Sequence, residues 1–188
     1  MDKYEILGLS ALITFGFTIF YYSFVGVPAD AFNLCNIILI FLGLGLVTHY
    51  RLLYSIGTFL VLFPLLTVIF LIKGILIKDP NTLIFGPSWI VVGITTHIFA
   101  IIIAFIGYKK KFRYFHRSTW WITTCIMVSI WFITFFLNTS KYNINWTLSP
   151  PPSLEFLGLW GFAILTLIST TSIWFILNYR FSKPSQNQ

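Results

Sequence analysis

Charged residues are scarce in this sequence. Asp, Glu, Lys and Arg make up only 9% of its 188 residues, and the mean hydropathy is +0.87. A soluble domain uses about a quarter of its residues for charge, so this chain lacks the polar groups needed to cover a surface that faces water. The composition therefore predicts a protein whose main solvent is lipid.

Acidic residues and cysteines are also few. The 5 acidic residues lie near the ends of apolar runs, which gives no support to a carboxylate proton relay through the membrane. A metal site needs three or four clustered His, Cys, Asp or Glu ligands. Only His97 and Cys35 are available deep inside the runs, so we predict no metal and no cofactor. Cys35 and Cys125 both lie in apolar runs, so no disulfide framework is expected. We interpret Cys125 as a packing residue.

The positively charged residues of the chain have a simple distribution. The net charge is +7, but the cations stand at the ends of apolar runs. Nucleic-acid binding needs an exposed basic face backed by a folded domain, and no stretch supplies one. The sequence therefore predicts no nucleic-acid partner, and its charge pattern is typical of membrane topology.

Long apolar runs are what the sequence has in abundance. A helix needs roughly 20 apolar residues to cross a bilayer, and the runs lack the alternating polarity of a membrane barrel. We predict an all-α polytopic membrane protein, with one six-helix domain over residues 1–182 and a polar tail at 183–188. The tight break "HYR" should make spans two and three antiparallel neighbours. The predicted spans are Tyr4–Val25, Ala31–Tyr50, Leu52–Ile77, Pro87–Tyr108, Thr119–Asn138 and Leu154–Asn178.

The cations predict the orientation of these six spans. Six spans place both termini on one side, and that side carries nine of the 12 Lys and Arg residues, against three on the other. The positive-inside rule then puts both termini and the segment "KKKFRYFHR" in the cytoplasm. We interpret that segment as a topology anchor, with contact to anionic lipid headgroups as the alternative. The predicted location is the cell membrane of a bacterium, crossed several times.

His97 is the only histidine deep inside a predicted span. A polar group without a partner in hydrocarbon costs several kcal/mol, so an ionisable residue there is a functional-site hypothesis. The alternative is a neutral imidazole that bonds to a neighbouring helix and only holds the helices together.

Cys35 lies in "FNLCN", where Asn33 and Asn36 flank it near the outer start of span two. Buried cysteine is a common small hydrophobic residue, but two amides beside it at a span entrance are unusual. Cys35 precedes Tyr50 by 15 residues and His97 precedes Tyr108 by 11. The offset in depth is on the order of 6 Å, about one helical turn, which side-chain reach and tilt can absorb.

Three stretches together resemble the YwaF-like bacterial membrane proteins. They are "FNLCNIILIF", "THIFAIIIAF" followed by a basic loop, and "FLNTSKYNINWTLSPPPSLEFLGLW". Distant relatives of that family include the androgen-dependent TFPI-regulating protein group of lipid hydrolases and an ether-phospholipid acyltransferase. The chain departs from the pattern at Asn33, where the family often has histidine, and at Thr96, where it often has serine.

The resemblance implies lipid acyl transfer or lipid-ester hydrolysis inside the membrane. Cys35 would be the nucleophile and His97 the base that takes its proton, since a thiol is mostly protonated at neutral pH. An amide of Asn33 or Asn36 would steady the oxyanion. The remaining predicted substrate-binding residues, near or in an ordered outer loop that caps the site, are Asn138, Tyr142 and Trp146.

Two other classes of function remain open from the sequence. A transporter or channel would use His97, Asn33 and Asn138 to line a polar path, and a non-catalytic membrane subunit would use them to join helices. The predicted partners are membrane lipids, while the oligomeric state, the lipid and the choice between transfer and hydrolysis stay open.

Overall fold

A computed structural model describes residues 1–26, 34–62, 65, 68, 72, 76, 86–110, 115–137 and 158–181. Within these residues the chain is helical and contains no strand. The all-α class is therefore confirmed for the described part. The predicted outer loop and the polar tail at 183–188 lie outside the described residues. The predicted domain boundary at residue 182 lies outside them as well.

Six helices follow one another along the described chain, one in each predicted span. Most of their described ends lie within a few residues of the predicted ones, because apolar runs flanked by turn residues mark where helices stop. The helices are α1 (Lys3–Phe24), α2 (Leu34–Val47), α3 (Arg51–Leu60), α4 (Gly86–Lys110), α5 (Thr119–Leu137) and α6 (Gly158–Phe181).

Helix α3 is described over only part of its predicted span, which continued to Ile77. It ends at Leu60, and Val61 is in a turn whose N–H reaches back to the carbonyl of Gly57 at 3.2 Å. The N–H of Leu65 donates to the carbonyl of Val61 at 3.1 Å, and residues 62, 65, 68, 72 and 76 are again helical. The other residues of the predicted span beyond 62 lie outside the described residues.

Helices α1 and α2 meet through two glycines. A Cβ on Gly8 would lie 2.7 Å from the carbonyl oxygen of Gly43, and one on Gly43 would lie 2.9 Å from that of Gly8. The two backbones are thus in direct contact, which only glycine permits. At the start of α1, Asp2 and Glu5 form a capping box, and Glu5 Oε1 also lies 3.2 Å from His49 Nε2.

The predicted tight break between spans two and three is confirmed as a short turn. His49 has φ 56°, a left-handed conformation that non-glycine residues seldom adopt and that here reverses the chain. Helices α2 and α3 then pack antiparallel, with Gly57 against Leu42 and Gly45 against the backbone of Tyr54. A Cβ on Gly45 would lie 2.6 Å from the Cα of Tyr54.

Tyr54 is the centre of the first four helices. Its side chain is fully buried, and its ring lies against Gly107 of α4, where a Cβ would be 2.6 Å from the ring. The phenol O–H donates to the carbonyl oxygen of Ala104. One tyrosine of α3 therefore fixes the spacing of α2 on one side and of α4 on the other, and α4 also contacts α1 and α2 directly.

Helices α5 and α6 pack antiparallel through side chains. The hydroxyl oxygens of Thr124 and Thr171 are 3.3 Å apart, and the ring of Trp120 meets that of Phe175 edge-on with centroids 5.5 Å apart. Trp174 connects this pair to α3, because its indole N–H donates to the carbonyl of Phe59 at 2.8 Å.

One end of the bundle collects the chain's turns. It contains the start of α1, the turn at His49, the residues before α5 and the final turns of α6, as the Glu5–His49 and Trp120–Phe175 contacts require. The N–H of His116 donates to Ser55 Oγ at 3.2 Å, which ties the residues before α5 to α3. We call this end the turn end.

The outer faces of the helices are apolar. Phe17 and Phe20 of α1 are each 69% exposed, and α5 and α6 also present exposed aromatic and aliphatic residues. Within the described residues, one helix, α1, is both long enough and apolar enough to cross a bilayer. The shorter apolar stretches are Asn36–Val47, Thr95–Tyr108, Thr119–Ile130 and Leu167–Leu177.

Candidate functional site

His97 lies near the middle of α4 and is buried, with 7% of its surface exposed. Its neighbour Thr96 is 5% exposed, so two adjacent polar side chains are enclosed in an otherwise apolar helix. Polar groups removed from solvent need hydrogen-bond partners. The middle of α4 is therefore a part of the helix where hydrogen bonding, and not only apolar packing, restricts the choice of residue.

The hydrogen bonds of Thr96 bear on which nitrogen of His97 carries the proton. Thr96 Oγ1 donates to the carbonyl of Val92 at 2.9 Å and lies 3.3 Å from His97 Nδ1. A hydroxyl has one proton, so both contacts are satisfied together when Nδ1 is protonated and donates to Thr96. This assignment follows from the hydrogen-bond pattern. It leaves the lone pair of the neutral ring on Nε2, the atom that would act as a base.

His97 belongs to the inner stripe of α4. Ala100, Ala104 and Gly107 follow it at spacings of three and four residues, which place all four on one helix face. Ala100 and Ala104 are buried and Gly107 packs on Tyr54. The small residues let neighbouring helices approach α4 closely on the side where His97 is found.

Helix α2 has a matching buried stripe. Leu39, Leu42 and Leu46 are each fully buried and recur at spacings of three and four residues. Position 35 comes four residues before Leu39 and continues this stripe along the helix. Helices α2 and α4 are in contact, which confirms the prediction that spans two and four pack side by side.

Tyr54 also provides a common reference for height along α2 and α4, because it contacts Gly45 on one and Gly107 on the other. Cys35 precedes Gly45 by ten residues, and His97 precedes Gly107 by ten residues. Both helices run toward the turn end. Positions 35 and 97 are therefore level to within about one turn of 5.4 Å. This agrees with the offset of about one turn counted from the predicted span ends.

The other predicted site residues are described unequally. Asn36 is 2% exposed on α2 and is thus a buried amide next to position 35. The side chain of Cys35 and all of Asn33 lie outside the described residues, and so do Asn138, Tyr142 and Trp146. The distance between the Cys35 sulfur and the His97 ring stays a prediction.

The structure changes the interpretation of two residues. Sequence reasoning noted Thr96 only as a departure from a family pattern, whereas the structure shows its hydroxyl against His97 Nδ1. The adjacency of a hydroxyl residue to the one deep histidine was the available signal. Cys125, interpreted from the sequence as packing, is instead exposed on α5, because it faces away from the α5–α6 contact.

The described residues contain no group of three His, Cys, Asp or Glu side chains placed to hold a metal ion. The described site thus contains the buried imidazole of His97, the Thr96 hydroxyl 3.3 Å from its Nδ1, and the buried amide of Asn36, the residue that follows position 35.

Comparison with known proteins adds no relative to this description. No protein-family model, curated protein or solved structure matches the chain.

Proposed function

We propose that the chain is an integral membrane protein with six spans and both termini in the cytoplasm. Exposed large apolar side chains on α1, α5 and α6 support this, because contiguous exposed apolar surface is unfavourable in water and favourable in lipid. Helix α1 is joined to the bundle through Gly8, Gly43 and the Glu5–His49 contact, which supports its role as the first span of the fold. The turn end would be the cytoplasmic end.

Reporter fusions test this topology. A fusion after Lys110, at the end of α4, should report the cytoplasm, and a fusion after Lys141 should report the opposite side. Paired cytoplasmic and periplasmic reporters at both positions provide the control for expression. Two fusions on the same side would remove the six-span proposal.

We further propose that the protein transfers acyl groups between lipids, or hydrolyses lipid esters, through Cys35 and His97. The observation that carries this proposal is the buried His97, whose Nδ1 contact to Thr96 favours Nε2 as the basic atom. The similar height of positions 35 and 97, level to within about one helical turn on two packed helices, gives it further support.

The chemistry balances without a cofactor. His97 Nε2 takes the thiol proton as the Cys35 sulfur forms a bond to the acyl carbon of a lipid ester. The tetrahedral intermediate then expels the alcohol, which receives the proton from His97. A second lipid hydroxyl or water attacks the thioester by the reverse sequence and restores the thiol. An amide of Asn33 or Asn36 would stabilise the oxyanion.

The test uses purified protein in lipid nanodiscs with a fluorescent diacyl phospholipid as donor and a lysophospholipid as acceptor. His97→Gln should lower turnover by about 100-fold or more, because glutamine keeps a hydrogen bond but cannot cycle a proton. Cys35→Ser should also lower turnover strongly. Cys125→Ser is the matched control, since it changes the exposed cysteine and should leave turnover unchanged.

The same variants distinguish the alternatives. If His97 only joins helices, His97→Gln should change stability by about 0.6 kcal/mol and leave any activity intact. A hydrophobic chloroacetamide probe offers a second readout, because it should label Cys35 faster in the wild type than in His97→Gln. Equal labelling of Cys35 in both proteins, together with unchanged turnover, would reject the catalytic pair.

A further inference from the structure

The turn end carries a cationic surface that the proposed chemistry does not use. Arg51 at the start of α3 and His116 and Arg117 just before α5 are all exposed. They come from segments more than 60 residues apart in the chain, so only the tertiary structure brings them to one edge. We name Arg51, His116 and Arg117 the basic edge.

Ser55 holds the two parts of the basic edge together. Its hydroxyl donates to the carbonyl of Arg51 at 2.7 Å and accepts the backbone N–H of His116 at 3.2 Å. Both bonds involve backbone atoms, so they set the spacing of the segments while leaving the cationic groups exposed at the surface.

Aromatic contacts hold the same segment against α3 and α4. Phe115 is buried, with its ring edge-on to Phe59 at 4.7 Å and stacked on Tyr108 at 5.0 Å. Aromatic pairs of this kind add about 0.5–1.5 kcal/mol beyond burial. Phe115, two residues before Arg117, is therefore held against α3 and α4.

The acidic groups at the start of α1 have hydrogen-bonding contacts of their own. Glu5 Oε1 contacts His49 at 3.2 Å, and Asp2 accepts backbone N–H groups at the start of α1. His116 Nδ1 accepts the N–H of Ser118 at 3.2 Å, so a neutral His116 ring has its proton on Nε2 and can donate from it. The basic edge thus combines two guanidinium groups with an imidazole that can donate a hydrogen bond.

We propose that the basic edge binds the headgroup of an anionic phospholipid in the cytoplasmic leaflet. Guanidinium groups bind phosphate oxygens through paired N–H donors, which makes them suited to this ligand. A cation near a negatively charged leaflet contributes on the order of a fivefold gain in binding. This inference depends on the proposed membrane orientation and is independent of Cys35 and His97.

The experiment titrates the purified full chain in a nonionic detergent with dioctanoyl phosphatidylglycerol, and in parallel with dioctanoyl phosphatidylcholine. Native mass spectrometry counts the bound lipid. Wild type should prefer phosphatidylglycerol by about 10-fold or more, and Arg51→Gln or Arg117→Gln should each weaken its binding about fivefold. Inorganic phosphate at about 10 mM should not displace the lipid, and displacement would mean that the basic edge binds free phosphate and would overturn the proposal.

Two further variants separate a built site from diffuse charge attraction. Ser55→Ala keeps every charge but removes the bridge, and should weaken phosphatidylglycerol binding about threefold, the size of a modest hydrogen-bond effect. Lys141→Gln removes one positive charge from the opposite predicted side and should change nothing. Equal losses in Arg117→Gln and Lys141→Gln, or no loss in Arg51→Gln with Arg117→Gln, would overturn the proposal.

Folding failure of the glutamine variants would not end the test. Arg51→Lys with Arg117→Lys keeps the charge and should still weaken binding, because lysine lacks the planar fork of donors. Wild-type binding should also fall as salt rises, and binding that ignores salt would contradict the proposal. Failure of the acyl-transfer proposal would leave these lipid affinities unchanged, and wrong topology would be seen in the reporter fusions.

Discussion

Helices α1 to α4 and the pair α5–α6 are assembled by different means. The first group is joined at glycines, backbone to backbone at Gly8 with Gly43 and at Gly45 with Tyr54, and backbone to ring at Gly107 with Tyr54. The α5–α6 pair is joined through side chains, at Thr124 with Thr171 and at Trp120 with Phe175. Glycine contacts leave no free space for a side chain, whereas contacts between side chains can adjust by changing rotamers.

The difference indicates where the molecule needs precision. Helix α4 carries His97, and its distance from α2 depends on the glycines that flank Tyr54. A shift of one helix by a side-chain diameter would change the relative height or spacing of positions 35 and 97, on which the proposed pair depends. The described residues of the α5–α6 pair include none of the predicted site residues, and this pair uses side-chain interactions that tolerate change.

The largest expected effect is at Gly45. Gly45→Ala places a methyl group 2.6 Å from the Cα of Tyr54 and should destabilise the fold by about 3 kcal/mol, since backbone atoms cannot move aside as a flexible side chain can. Unfolding in sodium dodecyl sulfate, followed by circular dichroism, measures the loss.

Gly16→Ala is the matched control for that change. Gly16 is on the exposed face of α1, and a Cβ there meets no atom within 4 Å. Alanine should leave stability unchanged or raise it by up to about 1 kcal/mol through helix propensity. If Gly45→Ala is as mild as Gly16→Ala, the backbone contact between α2 and α3 is wrong.

A smaller effect is expected at Trp174, which links the two groups. Trp174→Phe keeps an aromatic ring against Phe59 but removes the indole donor to the carbonyl of Phe59, and should cost about 1–2 kcal/mol. The loss should appear in the same detergent titration. A change below about 0.3 kcal/mol would mean that this carbonyl does not depend on the indole.

The smallest effects are expected within α5. Thr124→Val removes the contact to Thr171 and should cost about 0.6 kcal/mol, an ordinary value for helix contacts in membranes. Thr123→Val should be neutral or stabilising, because the buried Thr123 hydroxyl has no partner among the described residues. Both changes replace a hydroxyl with a methyl group of similar size. The loss of stability should therefore be larger for Thr124→Val than for Thr123→Val, and the opposite order would contradict the contacts described for α5.

The sequence by itself determined where the helices are. Scarce charge and long apolar runs leave a chain in lipid with no alternative to hydrogen bonds within each segment, and α5 begins at the predicted Thr119. Residues 62, 65, 68, 72 and 76, which follow the turn at Val61, are helical as the predicted third span requires.

Only the tertiary structure decided which residues of different helices meet. Spacing in the chain places Gly45 and Gly107 on helix faces, but it does not reveal that both contact Tyr54. Likewise, nothing local connects Ser55 with His116, or Glu5 with His49. Contacts between helices depend on their rotation, height and distance, which arise from the packing of all the helices together. Local periodicity specifies the face of each helix and leaves those three quantities open.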